Sequence, residues 1–107
     1  MKVDPEPGEI YFVDLGIAQK PRSILIFSAR HETAPLAVVT GLSLTTRYHG
    51  TPFEVVLPKL AWMREQSYVN TQSLAPYKFI ELQRLQGTVD ASVMQQIKKA
   101  VRLWLGV

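Results

Sequence analysis

Apolar and polar positions alternate with a period of two through the first half of the chain, which predicts a series of short strands. Glu9 to Leu15, "EIYFVDL", sets Ile10, Phe12 and Asp14 on one face and Tyr11, Val13 and Leu15 on the other, with the β-branched and aromatic bias of strands. From Arg22, "RSILIFSA" is apolar in both registers over part of its length, which predicts a strand covered on both faces. Leu36 to Leu44, "LAVVTGLSL", is a third strand, interrupted at Gly41, where glycine often marks a bulge or bend. "FEVVLP" is a fourth, ended by Pro58; "SYVNTQSL" and "YKFIELQRL" read as two more, separated by "AP". The pattern leaves "KLAWMREQ" open between one helical turn and an irregular excursion.

After Gly87 the period changes. Met94, Ile97, Val101, Trp104 and Leu105 recur at spacings of three and four, with Gln95, Gln96, Lys98, Lys99 and Arg102 on the other side. This predicts one amphipathic helix, capped by Asp90 at its start and Gly106 at its end. The expected fold class is therefore mainly β (α+β): a small twisted or closed sheet with one C-terminal helix packed on it.

Length sets the number of such units. At 107 residues one core closes once, so a single domain is expected over 1–107, with residues 1–7 as a loose N-terminal segment. A hydrophobic fraction of 47% is enough to offset the entropy of folding without disulfide staples. No cysteine is present, which excludes disulfides, iron-sulfur clusters and thiol catalysis. With two acidic residues and two prolines in its first eight residues, the N-terminus has the wrong pattern for a secretory signal. No apolar run approaches the roughly 20 residues that span a bilayer. A cytoplasmic protein without membrane contact is the expectation.

Charge changes the picture more. Residues 1–14 hold one Lys against four acidic residues, leaving eleven Lys or Arg against five acidic residues in the rest. That excess suits a polyanion or an acidic protein partner, although mild basicity is also common in proteins that bind neither. With His31 and His49 the only histidines and no helical ligand spacing around them, neither a catalytic nor a structural metal site is expected. "RYHGTP" lacks the glycines and the following helix of a phosphate loop.

What remains is an Arg at one strand start and a hydroxyl pair at another strand's end. If the second and third strands are antiparallel neighbours, Arg22 and Thr45 share one sheet edge and can hold one phosphate between them. Such a pair suffices for metal-free RNA cleavage, in which the substrate's own 2′-hydroxyl is the nucleophile. The plainer alternatives are a solvated arginine beside Pro21 and ordinary turn chemistry at Thr45 and Thr46. His49 reads as a general base or as polar surface; Tyr48 and Trp62 read as base-stacking rings or as packing.

The order of the segments adds a resemblance. "PGEIYFVDL", "KPRSILIFS", "LSLTTRYHGTPFEVVL", "SYVNTQSL" and "GTVDASVMQQIKKAVRLWLG", from Pro7 to Gly106, together resemble the MazF/PemK toxins of type II toxin-antitoxin systems. The resemblance implies an SH3-like small β-barrel with a C-terminal helix, a homodimer, and a metal-independent endoribonuclease needing no cofactor. Such an enzyme cuts single-stranded RNA to a 2′,3′-cyclic phosphate and a 5′-hydroxyl. It also implies an antitoxin that lays an acidic, partly disordered segment across the basic cleft.

By position, Arg22 falls on the family's arginine, for proton transfer and phosphate binding, and Thr45 on the threonine that holds the scissile phosphate. Thr46, Arg47 and Gln72 are the expected RNA contacts. The chain departs from the pattern at Arg22-Ser23, where Arg-Pro is usual. Its first loop, Gly16 to Pro21, is also short and has no acidic residue, so Lys20 and Arg47 are expected to bind phosphate in its place. The alternative reading is a non-catalytic barrel that binds RNA or a protein partner, its activity lost through the shortened loop.

Overall fold

The computed structural model describes residues 4–16, 21–29 and 31–107. Seven strands occur among them: β1 (Glu9–Val13), β2 (Arg22–Ile26), β3 (Val38–Thr45), β4 (Glu54–Val56), β5 (Tyr68–Asn70), β6 (Ala75–Lys78) and β7 (Leu82–Thr88). A single helix, α1 (Ala91–Leu105), follows them. All the pairings are antiparallel, in the order β4-β5-β3-β2-β1-β7, with β6 beside β3. The result is the expected mainly β architecture, as a bent, barrel-like sheet rather than a closed barrel.

Two cores lie on the two faces of the sheet. Ile10, Leu25 and Leu42 point to one, where Val93, Met94, Ile97, Ala100 and Val101 of α1 cover them. Tyr11, Val13, Ile24, Ile26, Val39, Tyr77 and Leu82 form the other. β2 thus supplies both cores, as its two apolar registers predict. The helix begins and ends at the expected caps: Asp90 Oδ1 accepts the Val93 amide at 3.0 Å, and Gly106 takes φ +76°, a conformation that costs glycine little.

Several boundaries differ from the pattern. "YKFIELQRL" is not one strand: a 3-10 turn at Phe79–Glu81 divides β6 from β7. "AP" lies inside β6, where Pro76 is tolerated because β6 pairs on one side only among the described residues. In "SYVNTQSL" only Tyr68–Asn70 is strand; Thr71–Ser73 is a 3-10 turn. "KLAWMREQ" is an irregular excursion with one turn, in which the Met63 amide donates to the Leu60 carbonyl at 2.9 Å.

Gly41 is the end of two ladders, paired with Ile26 of β2 and with Ala75 of β6, and a Cβ there would lie 3.0 Å from Ile24 Cδ1 and 3.1 Å from Tyr77 Cδ2. The glycine makes room for two buried side chains. Bulges fall on the β1–β7 pair, on either side of Tyr11 and Phe12, where extra residues in β7 increase the local twist. Gly87 is a strand residue there, and Leu60 packs over it: a Cβ at Gly87 would meet Leu60 Cδ1 at 2.7 Å. The excursion between β4 and β5 therefore leans on β7 through side chains.

The N-terminal segment, expected to be loose, is anchored in its described part. Pro5 is buried, the Glu6 amide donates to Glu9 Oε1 at 2.7 Å, and the Gly8 amide donates to the Ile26 carbonyl at 2.8 Å. These bonds tie the segment to the end of β2.

Candidate functional site

The β2–β3 ladder runs Ile26–Gly41, Leu25–Leu42 and Ile24–Ser43, and there it stops. Continuing that register by two residues sets Arg22 opposite Thr45 on one face of the sheet. The ladder with β2 goes no further than Ser43, while on its other edge β3 passes from β6 to β5, which pairs with it through Leu44–Val69 and Thr45–Tyr68. Ser43 takes part in the change of partner, its amide donating to Ser73 Oγ at 2.8 Å. The two strands diverge at this point, and the divergence opens a cleft.

The cleft has a volume of about 590 Å³ and is lined by Pro21, Arg22, Ser23, Leu44, Thr45, Thr46, Trp62 and Ser67. Arg22 is exposed and Thr45 half-buried. Thr45 Oγ1 accepts the Arg47 amide at 3.1 Å. That bond occupies a lone pair and leaves the hydroxyl proton free to donate. Ser23 Oγ donates to Gln86 Oε1 at 2.6 Å, which ties the start of β2 to β7 across the sheet. A guanidinium, a hydroxyl donor and an indole on one concave wall suit a phosphodiester with an adjoining base.

Of the expected site residues, the structure brings Arg22, Thr45 and Thr46 together. Arg47 lies beside them, exposed, holding Thr45 through its backbone. Gln72 does not line the cleft; it sits on the 3-10 turn beyond β5, its amide donating to Asn70 Oδ1 at 3.0 Å. Lys20, with residues 17–19 of the first loop, lies outside the described residues. His49 is exposed and away from the lining; its amide donates to Glu54 Oε2 at 2.9 Å. Trp62 and Ser67 join the lining from the irregular excursion, where no period or spacing points to them.

The loop after β3 is held by Glu54. Its Oε1 also accepts the Thr51 amide at 3.0 Å and the Thr51 hydroxyl at 2.8 Å. Desolvation of the carboxylate favours protonation, but these bonds, with the His49 amide, outweigh it and lower the Glu54 pKa below its ordinary value. Nearby, Tyr48 stacks on Tyr68 with ring centroids 4.5 Å apart and planes 15° from parallel.

A second depression, of about 540 Å³, lies at the other end of β2 between Ser28 and Phe79 and contains His31 and Glu32, but neither Arg22 nor Thr45. Among the described residues no group of three or more His, Cys, Asp or Glu side chains is placed to hold a metal ion. No described helix is long and apolar enough to cross a membrane.

The same architecture occurs in solved structures. An endoribonuclease from a mycobacterial species, in complex with its cognate antitoxin, is 27% identical over 97% of each chain with a TM-score of 0.83. Another mycobacterial endoribonuclease is 26% identical over 96% of this chain and 92% of its own, with a TM-score of 0.78. The Mycobacterium tuberculosis toxin MazF-mt6, at 22% identity over 92% of this chain and 97% of its own, shares the fold with a TM-score of 0.79. No curated protein matches the chain. Residues 6–105 match the family described as PemK-like, MazF-like toxin of type II toxin-antitoxin system, and the chain belongs to that family.

Proposed function

We propose that the protein is the toxin of a type II toxin-antitoxin pair and a metal-independent endoribonuclease acting on single-stranded RNA at the cleft between β2 and β3. The observation that carries this reading is that Arg22 and Thr45 line one cleft, in a chain of this family. In the reaction, the 2′-hydroxyl oxygen forms a bond to phosphorus and passes its proton to solvent water. The bond from phosphorus to the 5′-oxygen breaks, and that oxygen takes up a proton from solvent water. The products are a 2′,3′-cyclic phosphate and a 5′-hydroxyl.

Negative charge builds on the non-bridging oxygens in the transition state. The Arg22 guanidinium offers them a planar fork of donors, and the Thr45 hydroxyl offers one more from a fixed direction. Arg22 also offers a charge and a hydrogen-bond donor to the departing oxygen. No carboxylate or imidazole stands among the described lining residues. The same cleft, basic and open, suits the acidic segment of an antitoxin, and a homodimer is the assembly in which we place it.

Incubation with mixed-sequence single-stranded RNA in EDTA, with Arg22→Ala alongside, tests the reading. Cyclic-phosphate products from the wild type and at least a hundredfold less from the variant are expected. No product from any sequence, or equal product from both, overturns it. RNA binding without product is the outcome that favours the non-catalytic alternative, which the missing carboxylate motivates. Sedimentation as a monomer at micromolar concentration would remove the dimer from the proposal.

A further inference from the structure

The face that carries Arg22 and Thr45 continues across the sheet beyond the cleft. Thr45 is directly opposite Tyr68, and Tyr68 is directly opposite Val56, so the row reads guanidinium, hydroxyl, phenol and exposed valine. Tyr48 lies flat on Tyr68, 4.5 Å between centroids, and is 56% exposed. With one face of its ring against Tyr68, the outer face is the one open to solvent. We propose that Tyr48, held on Tyr68, is a stacking platform for the base of the nucleotide next to the phosphate gripped by Arg22 and Thr45.

Geometry supports the placement. Tyr68 stands one strand from Thr45, a separation of about 4.7–4.9 Å in a sheet. A nucleobase is joined to its phosphate through a single sugar, an offset of comparable size. A phosphate in the cleft therefore brings a neighbouring base over the tyrosine pair without extending the RNA further.

Order supports it as well. A loop tyrosine that had to be immobilised on binding would lose part of its contact energy to entropy. Tyr48 is already fixed from two sides: its ring by Tyr68, and the following residue by the bond from the His49 amide to Glu54. Aromatic stacking tolerates any base and requires an unpaired one, so the platform selects single strands over duplex.

The inference takes the position of the phosphate from the ribonuclease reading, and its test is separate from that reading. Binding is measured by fluorescence anisotropy with a randomised-sequence RNA in which every 2′-hydroxyl is replaced by a methoxy group, so no cleavage occurs. Tyr48→Ala should weaken binding about tenfold, and Tyr48→Phe should stay within about twofold of wild type, since the ring and not the hydroxyl acts. Tyr48→Leu keeps apolar contact with Tyr68 without a flat face and should behave as Tyr48→Ala does. The slope of log affinity against log salt should be unchanged in all three, whereas Arg22→Ala reduces it by about one. On cleavable RNA, Tyr48→Ala should raise KM and leave kcat within a few-fold.

Wild-type affinity in Tyr48→Ala, a loss in Tyr48→Phe equal to that in Tyr48→Ala, or a changed salt slope overturns the platform. If wild type binds RNA in a Tyr48-dependent manner and cuts none in EDTA, the platform stands and the ribonuclease reading falls. Cleavage that is unaffected by Tyr48→Ala gives the reverse. Absence of binding by the wild type overturns both.

Discussion

Arg22 and Thr45 fall opposite each other when the β2–β3 register is carried two positions past its last pair, Ile24–Ser43, and both line the cleft that lies there. A ladder that had continued would have placed them on a closed surface; its end leaves them lining an open cleft. The predictions below follow from what each side chain does in that cleft.

Thr45→Val keeps the shape and β-branching and removes the hydroxyl. Loss of one aimed donor to a developing oxyanion is worth about 10²–10³ in kcat, and that fall is expected with KM little changed. Thr45→Ser keeps the donor and should recover most of the rate. A single-turnover assay on saturating RNA reads the difference.

Arg22→Lys keeps the charge and loses the fork. The salt dependence of RNA binding should stay close to wild type, because one phosphate is still neutralised. The cleavage rate should fall by about tenfold or more, since hydrogen bonds to charged groups contribute about 1.5–3 kcal/mol. Equal rates for the two proteins would show that charge alone suffices.

Protonation of Glu54 should loosen the loop that carries Tyr48. Its folded pKa lies below the unfolded one, so its contribution to stability is complete above the unfolded value, about 4.3 for a glutamate, and is lost as pH falls through the lower folded value. Asp90, whose pKa is lowered by the Val93 amide and then the Ser92 hydroxyl, adds a loss of the same sign. Thermal melts of wild type and Glu54→Gln between pH 6 and pH 3 check this: the gap between the two proteins should narrow as the pH falls.

Gly41→Ala tests the packing role of that glycine. The added methyl would meet Ile24 and the Tyr77 ring, both buried, at 3.0–3.2 Å. Overpacking of this kind costs about 1–3 kcal/mol, and the melting temperature should drop by several degrees. An unchanged melting temperature would mean that the ring can move aside.

Features that rest on one segment were legible in the sequence. The two apolar registers of β2 identify a strand between two cores, and Asp90 and Gly106 bracket α1, because alternation and capping are local properties. The pairing of Arg22 with Thr45 was also within reach, given one assumption about neighbouring strands. What depended on distant packing was not. Alternation runs on through Phe79–Glu81, although Ile80 is 88% exposed there and the chain turns. Gly87 looks like punctuation until Leu60 is found above it, and Trp62 reaches the cleft from an excursion that packs on β7 and on the core. Gln72 lies on the Thr71–Ser73 turn, where the pattern reads on as strand, and does not line the cleft.

The pairing of β1 with β7 has a temporal consequence. Residues 9–13 find their outer partner only in residues 82–88, so during synthesis β1 keeps an open edge until β7 follows it. Arg22 and Thr45 come from consecutive strands and can meet much earlier, but the excursion that brings Trp62 to them also packs Leu60 over Gly87, a contact that needs β7 in place. Completion of the cleft therefore waits for β7.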